Sequence, residues 1–361
     1  MNILMLTSSD TGGVFGHILT VSKEITRRNN GNSVFIGCEH QDKICKYEEI
    51  CPTYELDFHS KNPLKMIETL RQLSHIIETR KIDIVHCHYR TAALYMQLLN
   101  IMKPVSYVWT NHLVPIPYDF LHRMLTFYGK KAISIGTDSK NFLVNDLKIP
   151  EKDIEVVFHG VTIENHSAEA GKSTLREKYN ISEKEKVIVL LGRLTEVKGH
   201  KFLLDAIYDL PGIKILFTGD GNEEYKKDLI QKSRQLGIES KVVYTGFVNP
   251  YEILQIADVM VLPSRQEGFP LSILESFSMK VPVVRTKTGG YEDMKDLCLA
   301  VDFDDSASLK DCVQKVLAGG SEIENMTNRA YGKILSDWNT EAMVDHLLEV
   351  YDKCRSGNRK Y

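Results

Sequence analysis

Short apolar runs alternate with longer amphipathic segments along the whole chain. The runs rich in Val, Ile and Leu predict strands, and segments with apolar residues three and four positions apart predict helices. The predicted strands are 3–6, 34–36, 82–85, 105–109, 132–135 and 156–158 in the first half, and 187–191, 213–217, 242–244, 259–262, 281–284 and 299–301 in the second. The clearest predicted helices are 17–28, 63–80, 201–210, 223–236, 271–278 and 308–318. This alternation indicates parallel sheets covered by helices on both faces.

The alternation runs through both halves of the chain and therefore predicts two doubly wound α/β domains. A chain of 361 residues is also longer than a single hydrophobic core usually serves. We place the boundary in the polar, glycine-containing stretch 159–172, which gives an N-terminal domain at 1–160 and a C-terminal domain at 161–336. The last segment, 337–361, contains an amphipathic helix predicted over 340–353, and we expect it to pack back on the N-terminal domain.

Composition and charge narrow the class of protein. Hydrophobic residues make up 43% and charged residues 26% of the chain, as in globular proteins, and the formal charge of −3 gives no indication of a nucleic-acid partner. The seven cysteines form no C-x-x-C pair, which favours a reducing compartment. The first residues predict a strand and lack the basic start of a signal peptide, and no run of about 18 apolar residues predicts a membrane span. We therefore expect a cytoplasmic protein.

The most informative segment is 265–275, with the sequence RQEGFPLSILE. It follows the predicted strand 259–262, and Pro270 stands where the first turn of a helix tolerates proline. Glu267 then lies on the loop beside a helix N-terminus, whose free N–H groups favour anions, and Glu275 lies about one turn into the helix. Two carboxylates beside an anion-binding helix start suit a polyol joined to a phosphate, as in a nucleotide sugar.

A second loop between a strand and a helix, 192–200, carries Arg193 and Lys198. The guanidinium offers a planar fork for two phosphate oxygens, whereas the ammonium is a point charge on a flexible stem. Both can reach one diphosphate, where they would stabilise the charge that develops as a nucleoside diphosphate leaves. The alternative is an ordinary solvated loop, which the order of Arg, Lys and Gly after an apolar strand disfavours.

The glycine-rich stretch 11–17 follows the first predicted strand and opens a helix, so its backbone could approach a ligand or could serve packing alone. It does not match the dinucleotide pattern G-x-G-x-x-G. Glu39 stands where such a site carries an acidic residue, but the missing glycine pattern outweighs it. A NAD-dependent dehydrogenase is therefore disfavoured.

Histidines and aspartates give little indication of a metal site. His86 and His88 alternate on a predicted strand but have no carboxylate nearby in the sequence, and the run DFDD at 302–305 is explained by a turn and a helix cap. His112 follows another strand, although a single histidine is more often a packing or surface residue. We therefore predict no metal and no cofactor.

Together these motifs make the chain similar to the retaining glycosyltransferases of family 4, also described as glycosyl transferases group 1. The resemblance covers essentially the whole chain and is much more specific in the C-terminal half. The motifs that carry it are Gly12-Gly13, Gly192-Arg193-Leu194 with Lys198-Gly199, Gly219-Asp220-Gly221, Gly246-Phe247, Glu267 to Glu275, and Gly289-Gly290-Tyr291-Glu292. The resemblance implies a GT-B fold, in which two Rossmann-like domains face each other across a cleft, the first for the acceptor and the second for the donor nucleotide.

The resemblance also implies roles for particular residues. Arg193 and Lys198 would bind the donor diphosphate, and Glu275 would bind the ribose hydroxyls. Glu267 would bind a hydroxyl of the transferred sugar, and His112 would lie beside the reacting centre. These two residues and the two cations are the predicted catalytic residues. The other predicted donor contacts are Gly13, closing over the diphosphate, Phe247 and Val248, at the nucleobase, and the backbone of Gly268, Phe269 and Leu271, facing the sugar and phosphate.

We therefore predict a retaining, metal-independent transferase that moves a hexose-type sugar from a nucleoside diphosphate, with UDP as the first candidate, to a glycan or lipid-linked glycan. Relatives of this size imply the synthesis of bacterial lipopolysaccharide, capsule or another surface polysaccharide. The alternatives are a nucleotide-sugar epimerase of the same fold and a catalytically silent partner subunit. A glycoside hydrolase is disfavoured because the two glutamates accompany a pair of phosphate-suited cations.

Two features leave finer details open. The segment 121–131 combines apolar and basic residues at near-helical spacing, and could lie on the inner membrane surface or form a core-facing helix with solvated lysines. Arg285 stands where family members usually carry a small or neutral residue, and could contact the donor or the acceptor.

Overall fold

The fold is seen in a computed structural model of the chain, which describes residues 1–7, 12–39, 47–163 and 169–355. Thr11 of the glycine-rich stretch and residues 164–168 of the predicted domain boundary lie outside the described residues. The chain forms two compact units, Met1–Gly160 with Thr340–Tyr361, and Val161–Asn339. The predicted boundaries were 160/161 and 336/337, and the contacts within the units place the second one at 339/340.

The first unit is built on a parallel sheet. Its strands are β1 (Asn2–Thr7), β2 (Ser33–Cys38), β3 (Thr53–Glu55), β4 (Ile84–Cys87), β5 (Tyr107–Asn111), β6 (Lys131–Ser134) and β7 (Ile154–Val156). Its helices up to the boundary are α1 (Gly12–Arg28), α2 (Pro63–Thr79), α3 (Arg90–Met102), α4 (Phe120–Met124) and α5 (Thr137–Asn145), followed by a 3₁₀ turn at Glu151–Asp153. The strand order is β3-β2-β1-β4-β5-β6-β7, so the direction of winding reverses between β1 and β4.

Both faces of this sheet are buried, which explains why its strands are nearly continuous apolar runs. Along β1, Leu4 and Leu6 belong to one hydrophobic cluster and Ile3 and Met5 to another. Since successive side chains of a strand point to opposite faces, the two clusters are the cores above and below the sheet.

The second unit repeats this architecture. Its strands are β8 (Lys186–Leu191), β9 (Ile213–Thr218), β10 (Val242–Gly246), β11 (Val259–Leu262), β12 (Val283–Thr286) and β13 (Leu299–Val301). Its helices are α6 (Glu169–Lys178), α7 (His200–Ile207), α8 (Glu223–Gln235), α9 (Pro250–Leu254), α10 (Leu271–Ser278), α11 (Tyr291–Met294), α12 (Ser306–Ala318) and α13 (Ser321–Ser336), with 3₁₀ turns at Glu196–Lys198 and Glu239–Lys241. All strand pairs are parallel, in the order β10-β9-β8-β11-β12-β13.

The final helix, α14 (Thr340–Arg355), belongs to the first unit. Its apolar residues Val344, Leu347 and Tyr351 lie in the same core cluster as residues of α1 and β1. At the surface, Arg28 of α1 forms an ion pair with Asp345 and donates a hydrogen bond to the carbonyl oxygen of Glu341. Apolar contact and charge therefore both hold this helix on the first sheet.

The predicted strands are present, but several of them are displaced along the chain. β4, β5 and β12 extend two residues beyond the predicted ends. Polar or charged residues near these ends interrupt the apolar runs on which the prediction relied: His86, Thr110, Asn111, Arg285 and Thr286. β7 lies two residues earlier than predicted, and the short edge strand β3 was not predicted. Runs of apolar residues therefore located the strands but cut off the polar carboxyl ends, where sites in such sheets usually form.

None of the helices in the described part of the chain combines the length and the apolar character that a membrane span needs. This agrees with the absence of a long apolar run in the sequence.

Candidate functional site

The strand order of the second unit defines a position for a site. β8 and β11 are neighbours in the sheet, and the chain winds away from them in opposite directions. In open parallel sheets, ligands bind at the carboxyl ends of the strands where the winding reverses. The two loops that leave this point are 192–199, after β8, and 263–270, after β11. Both predicted donor-binding motifs are on these loops.

A glycine allows the two loops to touch. Gly199 has a φ of 73°, in the left-handed region, and a Cβ atom added there would overlap the carbonyl oxygen of Pro263. The amide of Arg265 donates a hydrogen bond of 2.8 Å to the carbonyl oxygen of Val197. The first loop is therefore fixed against the second by backbone contact, and a side chain at position 199 would separate them.

One cation and the first carboxylate of the prediction meet at this junction. Lys198 Nζ lies 2.7 Å from Glu267 Oε1, and both side chains are largely buried. Arg193 is exposed, and within the described residues its guanidinium forms no ion pair or hydrogen bond. One cation is therefore held in place by a carboxylate, whereas the other is available to an anionic ligand.

The start of α10 lies directly after Glu267. The helix begins at Leu271, as predicted, and its N-cap residue, Pro270, supplies no side-chain hydrogen bond. The Phe269 ring is buried and packs edge-to-face on Trp338, with 5.3 Å between the ring centroids. Because this side chain faces the core, Phe269 can offer a ligand only its backbone, as predicted for Gly268, Phe269 and Leu271. The uncapped helix start leaves N–H groups suited to an anion.

A third loop supports the Glu267 loop from behind. A Cβ atom added at Gly289 would overlap the carbonyl oxygens of Glu267 and Gly268. Arg285 is fully buried and donates hydrogen bonds to the carbonyl oxygens of Thr288 and Gly289, at 3.0 and 2.7 Å. The hypothesis that Arg285 contacts the donor or acceptor is therefore wrong, because its guanidinium holds the loop that carries Gly289.

Glu275 lies one turn into α10, as predicted. Its carboxylate forms no hydrogen bond or ion pair with the described residues, and burial raises its pKa to about 7. The environments of the two glutamates therefore differ. Burial alone acts on the Glu275 carboxylate, whereas the Glu267 carboxylate is paired with Lys198. A ligand that donates hydrogen bonds would favour the ionised form of Glu275.

Phe247 and Val248 follow β10, on the same edge of the sheet. The Phe247 side chain is 78% exposed, and its amide donates a hydrogen bond of 3.2 Å to Asp220 Oδ1 in the loop after β9. Val248 is half-buried. An exposed aromatic ring on a fixed backbone is a surface on which a flat base can stack.

The two predicted site residues of the first unit lie on separate elements. Gly13 is exposed in the first turn of α1, next to Gly12, whose φ is 80°. His112 follows β5 directly and is half-buried, and its Nε2 lies 2.9 Å from His88 Nδ1. Their predicted contacts with a donor remain predictions.

The sequence did not indicate that His112 belongs to a group of histidines. His17 of α1, His88 after β4, and His159 have rings whose centroids lie 4.6 to 5.7 Å from one another or from the His112 ring. Burial, together with the neighbouring imidazoles, holds the pKa values of His17, His88 and His112 well below their usual value. The three imidazoles are therefore neutral at physiological pH. They come from segments far apart in the sequence, so spacing alone could not have found the group.

The aspartate run at 302–305 has the local role that was predicted. The Asp305 side chain accepts a hydrogen bond of 3.0 Å from the amide of Ser308 and thereby caps α12. Glu39, the residue that imitates a dinucleotide site, instead accepts a hydrogen bond of 2.7 Å from the amide of Phe58.

Comparison with known families agrees with the two sheets and their loops. The profile described as Glycosyltransferase Family 4 matches residues 11–165, and the profile described as Glycosyl transferases group 1 matches residues 171–333. The chain belongs to the family 4 glycosyltransferases. The predicted family and the predicted GT-B class of two parallel α/β domains are thus confirmed.

Individual relatives are distant but cover most of the chain. The N-acetyl-alpha-D-glucosaminyl L-malate synthase of Bacillus anthracis is 25% identical over 83% of this chain and 79% of its own. The UDP-Gal:alpha-D-GlcNAc-diphosphoundecaprenol alpha-1,3-galactosyltransferase of Escherichia coli is 23% identical over 80% of each chain. The crystal structure of Anabaena Alr3699/HepE in complex with UDP-glucose superposes with a TM-score of 0.85 at 18% identity, covering 98% of this chain and 100% of that one. At this identity the structural likeness establishes the fold alone.

We predict that Gly199→Ala disrupts the junction of the two loops. The new Cβ would meet the backbone of Pro263, which cannot turn away as a side chain could. We expect loss of nucleotide binding, measured by isothermal titration calorimetry, together with a lower melting temperature.

Gly212→Ala is the matched control. Gly212 lies in the same unit with a φ of 60°, but a Cβ there would meet no atom within 4 Å. It should lose only about 1–2 kcal/mol of stability, from the strain that an alanine has in the left-handed conformation, and keep its affinity for the nucleotide. Equal loss of affinity in both variants would show that conformational strain, and not the loop junction, matters.

Proposed function

We propose that this protein is a retaining, metal-independent glycosyltransferase that moves a hexose-type sugar from a UDP-sugar to a glycan or lipid-linked glycan in surface polysaccharide synthesis. The observation that carries the proposal is the junction of the loops after β8 and β11, where Lys198 is paired with Glu267, and where the loop after β8 also exposes Arg193, which has no ion pair among the described residues. An anion with several hydroxyl groups attached suits this combination of charges.

The charges of the junction indicate how a donor would bind. The Arg193 guanidinium would donate two hydrogen bonds to a diphosphate in a bidentate contact. Lys198 would bind both the diphosphate and Glu267. The N–H groups at the start of α10 would add hydrogen bonds without adding net charge. Glu267 would then have an oxygen free for a sugar hydroxyl, and Glu275 would accept hydrogen bonds from the ribose.

Attack on the sugar carbon increases the charge on the leaving diphosphate, and the two cations stabilise that charge more strongly in the transition state than in the ground state. We retain His112 and Gly13 as predicted contacts of the donor. For the acceptor, support comes from the Escherichia coli relative, which is named for transfer to a diphosphoundecaprenol-linked sugar.

A thermal-shift screen against UDP, GDP, ADP, NAD and the common nucleotide sugars, without added metal, tests this function. A ligand at 100 times its dissociation constant stabilises the folded state by about 2.7 kcal/mol. Stabilisation by UDP and UDP-sugars alone would support the proposed donor. No shift with any nucleotide would favour a catalytically silent partner subunit, and conversion of a nucleotide sugar without an acceptor would favour an epimerase.

We predict that Arg193→Ala and Lys198→Ala each lower the transfer rate at least about tenfold. Each removes a charge-assisted hydrogen bond worth about 1.5–3 kcal/mol, and each factor of ten in rate corresponds to about 1.4 kcal/mol. Sugar transfer to a lipid-linked acceptor is measured as released nucleoside diphosphate.

Lys201→Ala is the control for these variants, since Lys201 lies in the first turn of α7, after the loop, and pairs at the surface with Asp228, at 3.1 Å. An exposed pair contributes little, so this variant should keep its rate. Full turnover in both Arg193→Ala and Lys198→Ala would make the diphosphate assignment wrong.

We predict that affinity for a UDP-sugar rises with pH through about 7 and levels off above it. The ionised Glu275 carboxylate accepts hydroxyl hydrogen bonds, so donor binding lowers its pKa from about 7 and releases a proton. The rise is at most about tenfold per pH unit. A UDP-sugar is the proper ligand, because the terminal phosphate of free UDP has its own pKa near 6.

The pH series is measured by titration calorimetry from pH 6 to 8. Glu275→Gln should bind more weakly and show a flat profile, since its amide does not titrate. A slope that persists in Glu275→Gln would assign the titrating group elsewhere.

We also propose that the protein associates with the inner surface of the cytoplasmic membrane through α4. The alternative of a core-facing helix is not supported for α4, because no residue of this helix is buried. Phe120 and Leu121 are 71% and 60% exposed, and Met124 and Leu125 are exposed beside them. Arg123 and the exposed Lys130 add positive charge to this apolar surface.

We predict that Phe120→Ser with Leu121→Ser weakens pelleting with vesicles of anionic phospholipid at least several-fold. The matched control is Leu64→Ser with Ile67→Ser, which removes two exposed apolar residues, 76% and 45% exposed, from α2. Unchanged pelleting of the α4 variant, or an equal loss in the α2 variant, would contradict a specific membrane contact. Nucleotide binding should be intact in both.

A further inference from the structure

We propose that His17, His88 and His112 form a binding site for one divalent transition-metal ion of the zinc class. These three histidines, from α1 and from the ends of β4 and β5, offer one ring nitrogen each, and the three nitrogens lie within 4.8 Å of one another. They lie at the edge of the first sheet where its winding reverses, between β1 and β4. The inference does not rest on the proposed transferase activity.

The distances need only a small adjustment to coordinate an ion: one pair of nitrogens has to move slightly apart, and the third nitrogen has to move closer. Zinc–nitrogen bonds of about 2.0–2.1 Å place two nitrogens of a tetrahedral site about 3.3 Å apart. His88 Nδ1 and His112 Nε2 are already 2.9 Å apart. His17 has to approach this pair by no more than about 1.5 Å, a movement that rotation of one side chain can supply.

His17 is able to make that movement. It is 5% exposed, and neither of its ring nitrogens has a hydrogen-bond partner among the described residues. Buried polar atoms are rarely left unsatisfied, and a bound ion would satisfy one of the two ring nitrogens of His17.

The chemistry of the group selects the kind of ion. Imidazole nitrogens suit zinc, cobalt, nickel and copper, whereas magnesium and calcium require oxygen ligands. Three protein ligands leave a fourth position open to water or to another ligand.

The nearby His86 does not belong to the site. Its Nδ1 and Nε2 lie 2.6 Å from the hydroxyls of Tyr351 and Thr110, so both nitrogens are occupied. Its ring stacks on His88, with 4.0 Å between the centroids, and limits the orientations that His88 can adopt. His86 therefore positions a ligand without being one.

The experiment measures metal binding directly on the full-length chain without an affinity tag. Protein stripped with a chelator is dialysed against Zn²⁺, and the bound metal is quantified; Co²⁺ is then titrated while the visible absorption of a tetrahedral cobalt site is recorded. We expect one Zn²⁺ per chain and a tetrahedral cobalt spectrum. We expect His17→Ala and His112→Gln to weaken Zn²⁺ binding at least tenfold and to abolish that spectrum.

Two controls separate the site from other histidines. His75→Gln removes an exposed histidine of α2, and His200→Gln removes a buried one of the second unit whose ring nitrogens also have no partner among the described residues. Both should retain stoichiometric binding, with folding of every variant checked by circular dichroism. No bound Zn²⁺ in the wild-type protein, or one ion per chain in both His17→Ala and His112→Gln, would overturn the proposal. Either outcome leaves the test of nucleotide binding by the thermal-shift screen unaffected, because that screen contains no added metal.

Discussion

The order of the parallel strands in the second sheet is the constraint on which the candidate donor site depends. Because all the strands run in one direction, every loop that follows a strand leaves from the same edge of the sheet. The reversal of winding at β8 and β11 leaves space between two of these loops. Lys198 and Glu267, which are 69 positions apart, meet across that space in one ion pair. Nothing local to either motif could bring them together.

Close backbone packing is what converts this topology into a defined site. Gly199 lets the first loop touch Pro263, and Gly289 lets a third loop lie against the carbonyl oxygens of Glu267 and Gly268. Arg285 fixes the third loop with hydrogen bonds to its carbonyl oxygens, from a fully buried position. The Glu267 loop is thus held on two sides by backbone contacts, so its carboxylate and the start of α10 are positioned before any ligand arrives. Such preorganisation lowers the cost of ordering the site on binding.

Much of this could be predicted from the sequence, and the parts that could not have physical reasons. The apolar runs located the strands of both sheets except β3, and the two motifs placed Arg193, Lys198 and Glu267 on loops and Glu275 in the helix, where the structure has them. The polar ends of β4, β5 and β12 were missed because a run of apolar residues ends before they do. The role of Arg285 was misjudged because the sequence does not reveal which groups an arginine at the end of a strand contacts. Its acceptors are carbonyl oxygens of the loop that follows β12. The histidine group was invisible because three separate segments contribute to it.

The ion pair between Lys198 and Glu267 also bears on how the proposed transfer would gain its rate. With the site unliganded, the ammonium is held by the carboxylate at 2.7 Å, close to where the diphosphate would lie. A bound donor would share that ammonium with Glu267. The attraction between Lys198 and the diphosphate is therefore incomplete in the ground state. As the sugar–phosphate bond breaks, charge moves onto the diphosphate, and the balance shifts from Glu267 toward the leaving group. An interaction that strengthens only along the reaction lowers the barrier, whereas one that is complete on binding does not.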